Sequence, residues 1–233
     1  MKLKEIVPWG RSLREYRDMF LLTGDDLQQR ILGCGDGPAS FNAELTEAGG
    51  SAVSVDPVYR FGVEDIRSRV REVCPDIVSE VSKNPDDYVW EQIRDMDHLV
   101  QVRMEAMERF FGDYEQGRRE GRYVDASLPE LPFGDRAFDL VLCSHYLFLY
   151  SDHLGLEEHL RSVKELRRVA REVRVYPLVT LAGRRSPHLD PVVRELESEG
   201  LDVSFRKVRY RFQKGAEEML VITNGNAVYL FDD

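Results

Sequence analysis

The chain has 233 residues, of which 42% are hydrophobic, and a formal net charge of −10. That is apolar material enough for one sizeable core, and the acidity disfavours a phosphate backbone as the main partner. No window approaches the roughly 18 to 20 apolar residues of a membrane span, and the start MKLKEIVPWGRS lacks the apolar stretch of a secretory signal.

In chain order, SLREYRDMFLL (12–22) predicts a helix, with Leu13, Tyr16 and Phe20 on one face and Ser12 as its N-cap. QRILGC follows as a short buried strand. A turn with three glycines, Gly33, Gly35 and Gly37, comes next, and Pro38 suits the first position of a helix running to Gly49–Gly50. SAVSVD (51–56) alternates like a strand and ends on Asp56. Strand, glycine turn, helix and strand together make one right-handed βαβ unit.

Residues 57–121 read as helical. Val63, Ile66, Val70 and Val73 keep helical spacing up to Pro75; Ile77, Val78 and Val81 continue beyond it. A further helix covers about 93–114, with Met104, Met107, Phe111 and Tyr114 on one side. So long a stretch between two strands exceeds an ordinary crossover. It is expected to be a helical insertion that caps the carboxyl edge of the sheet as a lid, within a single domain spanning 1–233.

RYVDAS (122–127) predicts a third strand ending at Asp125, and FDLVLCSH (138–145) a strand buried on both faces. Leu156, Leu160, Val163, Leu166 and Val169 mark a helix, and REVRVYPLV (171–179) another strand. SPHLDPVVRELESEG is a helix with Asp190 as N-cap, Pro191 in the first turn and Gly200 as C-cap. VSFRKVRYRF (203–212) and EEMLVIT (217–223) flank QKGA as an antiparallel hairpin; the tail NGNAVYLFDD is ambiguous. The sum is an α/β fold: a doubly wound, seven-stranded, mostly parallel Rossmann-like sheet with a C-terminal antiparallel hairpin and a helical insertion after the second strand.

Cys34, Cys74 and Cys143 are scattered and odd in number, so they suggest neither a disulfide framework nor a metal site, and the expected location is cytoplasmic. The basic runs GRREGR, RSVKELRRVAREVR and RKVRYR are read as solvated faces.

A dinucleotide fingerprint needs a third glycine at position 38, which is Pro38, and the Gly-Lys-Ser/Thr ending of a phosphate loop is absent. What remains is a ligand that lies against the glycine turn without a pyrophosphate. Asp56, 19 residues beyond Gly37, can accept two hydrogen bonds from a ribose diol, or cap a following helix. Asp125 can receive an exocyclic amine, or cap a turn.

ILGCGDG, SVD at Asp56, VDAS at Asp125 and LPELPFGDRAFDLVLCSH together resemble the class I S-adenosylmethionine-dependent methyltransferases, over about 30–56 and 122–223. VPWGRS, ILGCGDGPASFN and LCSHYLFLYS are also similar to segments of a group of uncharacterised bacterial proteins. The family resemblance implies S-adenosylmethionine as cofactor, with contacts from Gly33, Cys34, Gly35, Gly37, Asp56, Pro57, Asp125, Ala126 and Ser144. The family usually has a carboxylate two residues before the first glycine, where this chain has Ile31. The methionyl amino group must therefore find another partner, either a backbone carbonyl near Gly33 or a side chain from outside the core; Arg11 is the candidate for the cofactor carboxylate. Acceptor contacts are expected just beyond FDLVLCS, with His145 as base and Tyr146 beside it; Tyr150, His153, Arg184 and His188 are nearby in the sequence pattern. The expected function is methyl transfer to a small-molecule acceptor. A non-catalytic binder of adenosylmethionine, adenosylhomocysteine or a partner protein, and an enzyme acting on RNA or protein, are the competing readings.

Overall fold

The structure is a computed structural model and describes residues 9–224; the ambiguous tail lies almost wholly outside them. Helix α1, Leu13–Phe20, begins with a reciprocal cap: Ser12 Oγ accepts from the amide of Glu15, and the Glu15 carboxylate accepts from the amide of Ser12. β1 (Arg30–Cys34), α2 (Phe41–Glu47) and β2 (Ser51–Val55) form the expected βαβ unit. α3 (Val63–Lys83) and α4 (Met96–Arg119) then lead to the short β3 (Tyr123–Val124). β4 (Phe138–Ser144), α5 (Leu156–Val169), β5 (Ala170–Tyr176), α6 (Leu189–Ser198), β6 (Leu201–Lys207) and β7 (Glu218–Asn224) complete the order.

Among the described residues, seven strands form one sheet in the order β3-β2-β1-β4-β5-β7-β6. β1 pairs in parallel with both β2 and β4, and β7 runs antiparallel between β5 and β6. The period of two along each strand divides the core. Ile31, Ala52, Leu140 and Leu142 bury on the face covered by α1 and α2, with Tyr16, Phe20 and Phe41. Leu32, Cys34, Val141, Cys143, Val173 and Val175 bury on the other face, under Val163, Leu166, Val192 and Leu196 of α5 and α6. A third cluster, with Tyr59, Val70, Phe110, Tyr114 and Tyr123, packs α3 and α4 against the β3 edge.

The structure departs from the sequence reading at several boundaries. Pro38 precedes the helix rather than opening it: α2 starts at Phe41, because the chain up to Gly37 is still held in the turn by a hydrogen bond from its amide to Asp56 Oδ2. α3 runs unbroken through Pro75. A proline removes one helical hydrogen bond, and here both Pro75 and Arg71, whose carbonyl loses its donor, are exposed, so the loss falls on the solvent side of the helix. Asp190 is inside the first turn of α6, where it pairs with Arg185, and His188 holds the capping position. β6 stops at Lys207. Beyond it the chain turns inward: the amides of Arg209 and Tyr210 donate to the carbonyl of Asp18, and the amide of Val89 donates to the carbonyl of Phe212. Tyr210 and Phe212 are thereby buried against α1 and the end of α3.

The insertion also reaches deep into the molecule. Ile77, Val81, Ile93 and Leu99 belong to the main core, and Arg103 of α4, 1% exposed, pairs with Glu15 of α1 at 2.5 Å and donates to Tyr210 Oη at 2.8 Å.

Candidate functional site

Parallel pairing brings the carboxyl ends of β1, β2 and β4 to one edge of the sheet, and a cleft of about 510 Å³ opens there. Its floor is the glycine turn. Gly35 has φ +73°, and a β-carbon there would approach within 2.8 Å of Tyr146 Cβ. Gly33 meets a different demand: a β-carbon would fall 1.9 Å from Asp36 Oδ2. The missing side chain leaves the space into which the carboxylate of Asp36 folds back.

Asp36 is 7% exposed yet lines the cleft. Tyr16 of α1 donates to its Oδ1 at 2.7 Å, and Ser54 of β2 to its Oδ2 at 2.6 Å. Ser54 stands opposite Gly33 in the β1–β2 register, so the carboxylate spans two adjacent strands. Burial raises the carboxyl pKa to about 7, against the two hydrogen bonds that favour the anion, with nearby Asp56 adding to the rise. Ile31, two residues before Gly33 on the same strand face, is fully buried in the core. Position 31 thus brings no carboxylate to the cleft, and position 36 does.

Asp56 follows the carboxyl end of β2. Its Oδ2 accepts from the amide of Gly37 at 3.0 Å and its Oδ1 from the amide of Val58 at 2.9 Å. It caps the short 3₁₀ turn Pro57–Arg60 and lines the cleft as well. Burial raises it to about 6, opposed by those two amides. Asp36 and Asp56 thus place two carboxyl groups in the cleft floor, both held above the ordinary carboxylate range.

Arg11, Cys34, Pro57, Ala126, Ser144, His145 and Tyr146 also line the cleft. Cys34 turns its side chain into the core, where burial pushes the thiol pKa well up, so its contribution to the cleft is backbone. Two expected contacts lie elsewhere. Gly33 is behind Asp36, and Asp125 is exposed, accepting a hydrogen bond from Arg60 Nη2 at 3.2 Å; Ala126, Ser127 and Leu128 line that end of the cleft.

His145 has φ +51°, in the left-handed region that costs a residue with a side chain of order 1–3 kcal/mol. The turn is held by its amide donating to the carbonyl of Tyr176 at 2.8 Å and by a 3.0 Å contact between its Nδ1 and Ser144 Oγ. Burial, and then Arg11 and Arg103, hold the imidazole pKa well below its ordinary value, so the ring is neutral at pH 7. Tyr146 is raised by burial and stays a phenol.

The segment Trp9–Ser12 crosses the glycine turn. A β-carbon on Gly10 would meet the Pro38 carbonyl oxygen at 1.9 Å, and the amide of Ser40 donates to the carbonyl of Arg11 at 3.0 Å. Trp9 and Arg11 both line the cleft. Among the described residues, Arg11 makes no ion pair, and Trp9 Nε1 and Arg11 Nε are buried without a hydrogen-bond partner. Sequence reasoning missed Asp36, Tyr16 and Arg60; Asp36 stood in plain view within the glycine turn, but as a loop residue.

Among the described residues no helix is long and apolar enough to cross a membrane, and no group of three His, Cys, Asp or Glu residues is placed to hold a metal ion.

A methyltransferase-domain family model matches residues 87–173. An uncharacterized protein of Methanocaldococcus jannaschii is 30% identical over 227 residues, 95% of this chain and 98% of that protein. Among solved structures, magnesium protoporphyrin IX methyltransferase from Synechocystis with bound S-adenosylmethionine is similar with a TM-score of 0.48 and 14% identity, over 91% of this chain and 78% of that one. A methyltransferase from Aquifex aeolicus that depends on the same cofactor is similar with a TM-score of 0.39 and 14% identity, over 84% of this chain and 81% of that one.

Proposed function

Because the chain belongs to the class I S-adenosylmethionine-dependent methyltransferases, we propose that the cleft over β1, β2 and β4 holds that cofactor and that the acceptor is a small molecule. The observation that carries this reading is the pair of carboxylates, Asp36 and Asp56, brought to one cleft by the glycine turn. The cleft volume of about 510 Å³ falls within the roughly 300–1,000 Å³ of pockets that enclose a small ligand.

The residues fit the group chemically. Asp56, fixed by two amides, keeps lone pairs for a ribose diol. The buried carboxylate of Asp36 suits the methionyl ammonium in place of the missing acid at position 31. Arg11, which lines the cleft and makes no ion pair among the described residues, suits the methionyl carboxylate. Pro57, Ala126 and Leu128 offer apolar walls to the adenine, and Arg60 stands between the cleft and Asp125. The lid role of the insertion is then confined to its first part, where Pro57, Arg60, Phe61 and Arg69 form the rim, because its later residues are committed to the core.

When bound, the cofactor supplies an electrophilic methyl group on a good, neutral leaving group. The protein's task is alignment, worth up to about 7–11 kcal/mol in the best-oriented systems. Neutral His145, at the end of β4, is the group able to take a proton from an acceptor. A cleft of this volume with two carboxyl groups in its floor, on a chain of net charge −10, favours a small acceptor over a phosphodiester chain.

Calorimetry with S-adenosylmethionine and adenosylhomocysteine tests the reading. Micromolar or tighter binding is expected, weakened at least tenfold by Asp56→Ala, which removes the ribose contact. Absence of heat with both nucleosides rejects it. Incubation with a radiolabelled methyl donor and a cell extract is then expected to label the low-molecular-weight fraction; label confined to macromolecules rejects the small acceptor.

A further inference from the structure

A second cavity of about 110 Å³ adjoins the cleft, and the two share Trp9, Arg11, His145 and Tyr150 in their walls. A methyl acceptor must stand beside the cofactor, so a cavity that continues from the cleft past His145 is where its body would rest. This inference rests on the cofactor reading above and concerns what the acceptor is.

The walls specify it. Trp9, Tyr88, Tyr150, Tyr176, Tyr210 and Phe212 surround the space, closed by the aliphatic side chains of Ile77, Val81 and Leu181. Tyr88 and Phe212 lie 4.9 Å apart between ring centroids, and Tyr176 and Tyr210 meet edge to face at 6.2 Å. Such walls present ring edges and faces to an aromatic guest. Most of the polar lining is already engaged within the protein. Tyr176 Oη donates to the carbonyl of Ala216, Tyr210 Oη accepts from Arg103, and Gln213 Nε2 donates to the carbonyls of Thr180 and Leu181. The polar groups left over belong to residues shared with the cleft, the imidazole of His145 and the guanidinium of Arg11, while the unpartnered Trp9 Nε1 is itself buried. At about 110 Å³ the space is smaller than the roughly 150 Å³ cavity that holds benzene, so it takes at most one ring, and only with the ring's polar end reaching into the adjoining cleft.

We infer that the acceptor is a single-ring phenol, its ring in the second cavity and its hydroxyl at the boundary between His145 and Trp9. The hydroxyl becomes strongly acidic only as its oxygen bonds to the methyl carbon, and its proton then passes to the neutral imidazole of His145 and on to water. The phenolic oxygen forms a bond to the methyl carbon as the carbon–sulfur bond breaks, leaving an aryl methyl ether and adenosylhomocysteine.

The probe is 4-methylphenol, followed by saturation-transfer NMR on the whole protein, with and without saturating adenosylhomocysteine. Transfer to its ring protons is expected in both cases. Leu181→Trp, which fills the cavity from a partly exposed position, is expected to weaken 4-methylphenol at least tenfold and leave adenosylhomocysteine within threefold. Should that variant misfold, Phe212→Ala enlarges the cavity and is expected to admit 2-naphthol, which the native protein excludes. His145→Gln is expected to slow formation of 4-methylanisole about a hundredfold or more while 4-methylphenol still binds. Equal transfer to cyclohexanol or benzoate, no transfer to 4-methylphenol, or binding unchanged by either cavity variant overturns the inference. Failure of adenosylhomocysteine to bind while 4-methylphenol does leaves the cavity assignment standing and removes the cofactor reading instead.

Discussion

Asp36 is a mostly buried carboxyl group at the cleft floor, with a tyrosine and a serine as its hydrogen-bond donors and a second carboxylate nearby. Folding raises its pKa from an ordinary 3.8 to about 7. The protonated form is therefore the one the native state prefers, so its contribution to stability is complete below pH 4 and is lost as pH climbs toward 7. Three units correspond to about 4 kcal/mol, part of it shared with Asp56. Asp36→Asn removes this penalty. It is expected to melt higher than the native protein at pH 8, with the advantage shrinking toward pH 4, when thermal unfolding is followed by circular dichroism. The same substitution is expected to weaken S-adenosylmethionine at least tenfold, since an ammonium–carboxylate hydrogen bond is worth about 1.5–3 kcal/mol. A variant that loses stability at pH 8 would refute the buried-anion account. Gly33 offers an independent check. Gly33→Ala alone is expected to cost about 1–3 kcal/mol by forcing Asp36 aside; in an Asp36→Ala background it is expected to cost little, and additivity of the two in urea melts would be the contrary result. None of this was legible from the motif. Ile31 could be recognised as a departure, but the compensating acid depends on a folded-back side chain and on Tyr16 and Ser54, which arrive from other elements.

At the level of elements, the alternation of β and α and the two antiparallel strands at the end were plain in the periodicity, because the period of the apolar residues is set by which face each element buries. The boundaries were less so. Pro75 marks a break by local rules, yet α3 passes through it on an exposed face, where the freed carbonyl costs least. RYRF extends the strand pattern of β6, yet Tyr210 and Phe212 are drawn inward by a core contributed largely by α1 and α3. The buried Arg103 is the clearest case of what local pattern hides: one residue of α4 joins α1, through Glu15, to the loop bearing Tyr210, and its guanidinium lies 5.9 Å from the Trp9 ring centroid. Removing one partner of a buried ion pair typically costs about 3–5 kcal/mol, whereas replacing both by apolar or neutral groups is often nearly neutral. Arg103→Met is expected to lose stability on that scale in chemical denaturation, and Glu15→Gln with Arg103→Met to regain most of it. If the double variant is no more stable than the single one, the arginine's packing and its bond to Tyr210, rather than the charge pair, hold these elements together.

For the molecule as a whole, the sheet order fixes where the ligand cleft opens, and the order follows from a chain of parallel crossovers that the sequence displays. The second cavity had no such signature. Its walls come from the N-terminal strap, α3, the segments after β4 and β5 and the loop before β7, residues remote in sequence that share a surface only after folding. Both cavities use the N-terminal strap packed on the sheet, and the second also the β6–β7 loop, so occupancy should be felt by the global unfolding equilibrium. A ligand that binds the native state and not the unfolded chain stabilises by about 2.7 kcal/mol at a hundred times its dissociation constant. For a chain of this length each kcal/mol raises the melting temperature by about 2–4 °C. Saturating adenosylhomocysteine is therefore expected to raise it by roughly 5–10 °C. In Asp56→Ala at the same ligand concentration, at least tenfold weaker binding is expected to remove at least about 1.4 kcal/mol of this, a smaller rise by roughly 3–6 °C. A rise that is the same in both proteins would mean that the nucleoside binds away from the carboxylates at the ends of β1 and β2, and would detach the cleft from the cofactor even if the enzyme transfers methyl groups.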